Sequence, residues 1–169
     1  MKRVGENMVI RAGDTILLIR YNNYKKMDFI EEHNKIAKEN NYVWMLKAGR
    51  KLVKKKLDKV KNESSIVILK APKNVGGQYY YAKIIDYQYG EREKDGFSPD
   101  YYSNLVDDEK LWQIVSLDGT WLKLGEIKPL KSEFVDSFSL LSNGKDVKEV
   151  ISSTMSSTLY ITSNKDIII

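Results

Sequence analysis

The chain contains no cysteine and a single histidine, His33. Without thiols there is no disulfide, no thiolate nucleophile and no Cys-ligated metal, and one imidazole cannot build a His-rich zinc site. Any serine nucleophile would have to take its base from His33 alone. The longest aliphatic runs, Ile16 to Ile19 and Ile66 to Leu69, have four residues, far short of the ~20 that span a bilayer. The opening MKRVGENMVIRAGD carries charge but no apolar core of about 7 to 15 residues, so it does not read as a secretory signal and a cytoplasmic protein is expected. The phosphate-cradling patterns G-x-x-x-x-G-K-[ST] and G-x-G-x-x-G are missing, as is G-x-S-x-G, so neither nucleotide-driven chemistry nor serine hydrolysis is implied. Asp86, Asp95 and Asp100 are the carboxylates for an acid–base pair or metal site, yet no spacing selects them. No cofactor is implied.

What is present is an ordinary globular composition. Of 169 residues, 42% are hydrophobic and 30% charged, enough for one domain with a real core. Twenty-eight Lys and Arg against 23 Asp and Glu leave a net charge of +5, which permits an anionic partner without requiring one. The apolar ending Asp166-Ile167-Ile168-Ile169 suits a module cut from a longer chain.

Thr15 to Tyr21, TILLIRY, reads as a buried strand entered from the Gly13-Asp14 turn. Asp28 with Glu31 has capping-box spacing, and Phe29, Ile30, His33, Ile36, Ala37 and Asn40 share one face of the helix that follows. His33 on that face reads as a core-edge histidine bonded to backbone. Tyr42 to Lys47, YVWMLK, is a second strand. Arg50 to Lys61 is an amphipathic helix with Leu52, Val53, Leu57 and Val60 on one side and a basic face on the other. Ser65 to Leu69 is a short strand, and Gln78 to Tyr89 a long one beyond a loop with Gly76-Gly77. Gly90 to Tyr102 is a long surface loop of the kind that commonly carries function. Leu111 to Leu117 and Thr120 to Leu124 form a hairpin about Asp118-Gly119. Phe134 to Leu141 is a further strand, Asn143-Gly144 a turn, Val147 to Met155 a helix and Thr158 to Thr162 the last strand. There is no internal repeat. Six or seven strands, with two helices inserted among the first three, predict an α+β fold: a small curved or closed antiparallel or mixed β-sheet flanked by two or three helices.

The positive chemical signal is aromatic residues beside base. Eleven tyrosines is a high count for this length, and Tyr21, Tyr24, Tyr79 to Tyr81, Tyr87, Tyr89, Tyr101 and Tyr102 cluster at strand ends near Lys and Arg. Stacking on aromatic faces, with phosphates held by cations, is what recognition of single-stranded or flipped bases needs. The bland reading is that tyrosine favours half-buried strand positions. Trp44, Trp112 and Trp121 likewise suit a core.

The order LLIRYNN, helix, NYVWMLK, basic segment, SSIVILKAPKNVGGQYYYAKIIDY, then LWQIVSL and Ser142-Asn143-Gly144-Lys145-Asp146-Val147, resembles the YTH and EVE domains of the PUA-like superfamily over residues 14 to 162. The resemblance sets residues 1–13 apart as an N-terminal extension and makes 14–169 one base-recognition domain. It implies an antiparallel or mixed β-barrel of the PUA-like type, with a methylated base, N6-methyladenine or 5-methylcytosine, flipped into an aromatic pocket. Trp44 matches the family's first pocket tryptophan, and Arg20, Tyr21 and Asn22 its strand-end contacts. Phe97, Tyr101 or Tyr102 would supply the second wall, and Asn143 joins the pocket from Ser142-Asn143-Gly144, which stands where the family has Arg-Asp-Gly. Phosphate contacts are expected from Arg20, Lys47, Arg50, Lys51, Lys54, Lys55, Lys73 and Lys145. Similar modules precede the motor domain of McrBC-type modification-dependent restriction enzymes. By that analogy the partner is DNA rather than RNA, with a motor domain and a nuclease subunit downstream and no membrane or metal. An RNA-binding domain of the same fold, a partner-binding module, or an enzyme using Asp86 or Asp95 are the competing readings.

Overall fold

A computed structural model describes residues 8–23, 27–73, 77–90, 97–99, 102, 119–154 and 156–169. The elements are β1 (Val9–Ile10), β2 (Ile16–Arg20), α1 (Phe29–Asn40), β3 (Val43–Lys47), α2 (Lys54–Asn62), β4 (Ile66–Lys70), β5 (Tyr79–Tyr89), β6 (Thr120–Leu124), β7 (Lys128–Leu130), α3 (Ser132–Val135), β8 (Phe138–Leu140), α4 (Val147–Ser153), β9 (Thr158–Ser163) and β10 (Ile167–Ile168). The expected Leu111–Leu117 strand, Trp112, Asp118 and Tyr101 lie outside the described residues.

The uninterrupted aliphatic strings ILLI and IVIL follow from a sheet buried on both faces. Because strand side chains alternate, Leu17, Ile19, Val67 and Leu69 join one core with Phe29 and Ala37 of α1 and Leu57 and Val60 of α2. Ile16, Leu18, Ile66 and Ile68 point the other way, into a second core with Val135 of α3 and Val147 and Ile151 of α4. Each such side chain contributes about 1.5 to 3 kcal/mol of burial.

The α+β class is as expected, but the sheet is open. Its order is β3-β6-β5-β4-β2-β9-β8, with β7 on β5. Among the described residues no ladder joins the outer strands β3 and β8, so helices and terminal segments, rather than closure, cover it. β2 and β4 are parallel, with Arg20 paired to Lys70, while the other pairings are antiparallel. At the β3 edge the Trp44 N–H donates to the Phe97 carbonyl at 2.8 Å, so the loop after β5 returns beside this tryptophan.

Several local expectations need correction. Within the N-terminal extension, residues 8–10 pack on the fold: Ile10 is fully buried, and β1 pairs with β10, Val9 opposite Ile168. α2 starts at Lys54 instead of Arg50, because Val53 is its N-cap and offers no side-chain acceptor, while the Leu52 N–H is held by Thr120 Oγ1 at 2.8 Å. Val53, assigned to the apolar face, is 57% exposed. Residues 134–141 divide into the end of α3 and the short β8. Asp28 does cap α1, accepting from the Glu31 N–H at 3.0 Å.

Candidate nucleic-acid interface

A parallel pair places both strand carboxyl ends at one level, where open α/β sheets commonly hold ligands. Here the two ends are basic, Arg20 and Lys70, and a cavity of about 280 Å³ opens between them, lined also by Tyr21, Asn22 and Lys73. Four residues expected at the site, Arg20, Tyr21, Asn22 and Lys73, thus converge on one cavity. Lys70 was missed. Its signal is the parallel reading of ILLIR and IVILK, two aliphatic runs that each end in a cation.

Each wall has a local cause. The Arg20 guanidinium donates to the carbonyls of Thr154 at 2.5 Å and Ile151 at 3.0 Å, the unpaired C-terminal acceptors of α4. Tyr21 stacks on Phe29 with ring centres 4.5 Å apart, and Asn23 Oδ1 accepts from the Phe29 N–H at 3.0 Å, fixing how the chain leaves β2 for α1. Burial, followed by the neighbouring Tyr80 and Asp28 side chains, pushes the Tyr21 phenol well above its ordinary value, so it stays a neutral donor. The Lys70 ammonium donates to the carbonyls of Ala71 and Gly77, closing the β4–β5 loop. Burial, followed by the charges of Arg20 and Lys73, lowers its pKa. Gly77 sits at φ +62°, and a Cβ there would come within 2.9 Å of Lys70 Nζ.

Trp44 is not among the described residues lining this cavity. It is 7% exposed, in the core with α1 and α2, and the Lys123 ammonium lies 5.9 Å from its ring and 4.1 Å from that of Tyr42. Phe97, half-buried, packs on Tyr42 at 5.4 Å. Tyr102, expected as a pocket wall, is instead turned inward: it is 3% exposed, its hydroxyl lies 2.5 Å from His33 Nε2, and its ring meets Trp121 edge-on. Asn143 and Lys145 occupy an exposed turn in which Asn143 Oδ1 accepts from the Lys145 N–H, and neither lines the cavity.

The basic segment is more occupied than its sequence implies. Lys51 lies 5.5 Å from the Tyr89 ring and Lys54 6.0 Å from that of Tyr87, while Lys54 also pairs with Asp58 at 2.9 Å. The Tyr87 hydroxyl donates to Asp58 at 2.5 Å and the Tyr89 hydroxyl to the Leu52 carbonyl. This interleaving of lysine and tyrosine docks α2 on β5. Arg50 and Lys55 are exposed, and Lys47, half-buried, donates to the Ala48 carbonyl and is pushed down in pKa by burial. Asp86 is ion-paired with Lys61 at 3.0 Å, while Asp95 and Asp100 lie outside the described residues. Among the described residues no helix is long and apolar enough to cross a membrane. No family model matches the chain, and neither a curated protein nor a solved structure does so.

Proposed function

We propose that the protein is a nucleic-acid-binding module that reads a methylated base, in DNA rather than RNA, in the manner of YTH and EVE domains. The observation that carries this reading is the convergence of Arg20, Tyr21, Asn22, Lys70 and Lys73 at the joined ends of β2 and β4. A cavity of about 280 Å³ is at the small end of ligand sites, which run to about 1,000 Å³, and suits one nucleotide-sized group. Three cations supply attraction for phosphate, the Asn22 amide offers a donor and an acceptor to a base edge, and Tyr21 adds an aromatic wall. Tyr21 is the aromatic wall for the apolar contact with a methyl group, since Trp44 and Phe97 are not among the described residues that line the cavity. One methyl in a hydrophobic slot supports about 1 to 3 kcal/mol of discrimination.

The test is fluorescence anisotropy at about 50 mM salt with matched oligonucleotides, plain or carrying N6-methyladenine or 5-methylcytosine, as single- and double-stranded DNA and RNA. A gain of about tenfold with methylation in DNA is expected, lost on Asn22→Ala and on Tyr21→Leu, with thermal melts verifying that both variants fold. Lys51→Glu with Lys55→Glu should weaken methylated and plain strands alike and flatten the salt dependence. Equal affinity for methylated and plain oligonucleotides refutes the reading.

A further inference from the structure

At the other end of β4, where the chain enters at Ser64-Ser65, a groove of about 960 Å³ runs between β5, the terminal ribbon, the end of α1 and the break between β6 and β7. Both strands that form its floor depart from a regular ladder at this level. The β5–β6 register slips between Ile84 and Asp86, leaving Ile85 as the extra residue, and beside it Gly125 interrupts the edge that β6 and β7 lay along β5. Bulges of this kind re-aim side chains next to sites. The Ile85 side chain is 39% exposed as a result, and Val9 across the groove is 48% exposed.

The charge around these two aliphatic side chains is one-sided. Lys38, Lys83 and Lys128 line the groove against one carboxylate, Glu126, which lies 3.9 Å from Lys38. That leaves Lys83 and Lys128 as the cations not balanced by it. A nucleic-acid strand would need aromatic faces to stack on, but the one aromatic residue among those lining the groove, Tyr81, is 9% exposed and belongs to the second core. Aliphatic contacts beneath a cationic rim fit a different partner.

We infer that this groove is a docking site for an acidic peptide segment of a partner protein, with aliphatic side chains seated on Val9 and Ile85 and carboxylates facing Lys83 and Lys128. It is separate from the strand-end cavity, being at the opposite end of β4, and does not depend on what that cavity binds. Attraction between the rim and an acidic segment is weakened by salt.

The probe is a fluorescein-labelled hexapeptide, Asp-Leu-Glu-Leu-Asp-Leu, titrated at about 50 mM salt, with a ten-residue oligothymidine as competitor. Saturable binding is expected, weakened about tenfold by Lys83→Glu with Lys128→Glu and also by Ile85→Ser, since a tenfold loss is about 1.4 kcal/mol and of the size one interfacial contact supplies. Asn22→Ala should leave it unchanged, which separates this site from the strand-end cavity. Absence of peptide binding by the native chain at millimolar peptide, indifference to the double charge reversal, or displacement by oligothymidine would each overturn the inference. Thermal melts of the variants verify that the fold survives.

Discussion

The Tyr102 hydroxyl donates to Nε2 of His33 across 2.5 Å, while Nδ1 of the same imidazole faces the Phe29 carbonyl at 2.7 Å. The two partners fix one tautomer: Nδ1 carries the hydrogen, and the ring is neutral. This bond ties the long loop to α1, and through the Phe29 ring, 4.1 Å from His33, it reaches the stack that supports Tyr21.

Acid should therefore loosen the fold. Burial lowers the His33 pKa from 6.5 to about 4, against a smaller opposing effect of the Phe29 carbonyl. Below 6.5 the unfolded chain binds a proton that the folded chain refuses, so this contribution to stability is intact above that pH and is lost progressively down to about 4. The loss reaches about 3 kcal/mol. Urea unfolding at successive pH values should show this slope, and His33→Gln should flatten it.

Arg20→Met should free the last carbonyls of α4 without altering the β2 ladder. Two hydrogen bonds from a charged donor are removed, at a cost of about 1.5 to 3 kcal/mol each. Amide exchange is expected to quicken first in residues 151–154, and a uniform loss of protection would contradict the local role assigned to Arg20.

At Gly77 the backbone has positive φ and Lys70 Nζ occupies the space that a Cβ needs. Gly77→Ala should cost about 1 to 2 kcal/mol from backbone conformation alone, with a further cost because Lys70 must withdraw. Gly13→Ala, at φ +88° but with nothing within 4 Å, is the control. A larger loss at Gly77 than at Gly13 is expected in paired thermal melts.

Tyr89→Phe should remove the hydroxyl that holds the Leu52 carbonyl and lower stability by about 1 kcal/mol. Lys51 and Lys54 stay attached to the same segment, so the variant isolates docking from charge. If the segment were held by its lysines instead, Tyr89→Phe would leave amide exchange at residues 50–54 unchanged.

The sheet's centre was legible because its strands are short, β-rich and bounded by turns. The strings at 16–20, 43–47, 66–70 and 158–163 became strands, and Asp28 with Glu31 marked the start of α1. The terminal ribbon was not legible, since two residues have no period and the ladder partner of Ile10 is Ile167, from the other end of the sequence. Nor was the start of α2, where Thr120 holds Leu52 from 68 residues away. In the site, Arg20, Tyr21 and Asn22 are neighbours in sequence, whereas Lys70 joins them only through parallel pairing. Tyr102 reads in sequence like any other loop tyrosine, and what turns it inward is His33, 69 residues distant.

The ribbon of β1 and β10 has a mechanical meaning. Met8 and Ile169 exchange both backbone hydrogen bonds, each at 2.8 Å, so the two residues face each other across the ribbon. Tension applied at residues 8 and 169 pulls the two strands apart like a zip, rupturing one pair at a time, whereas strands loaded lengthwise share the force across a whole ladder. Stretched from these residues, the molecule should yield the ribbon at low force, before the buried sheet bears any load.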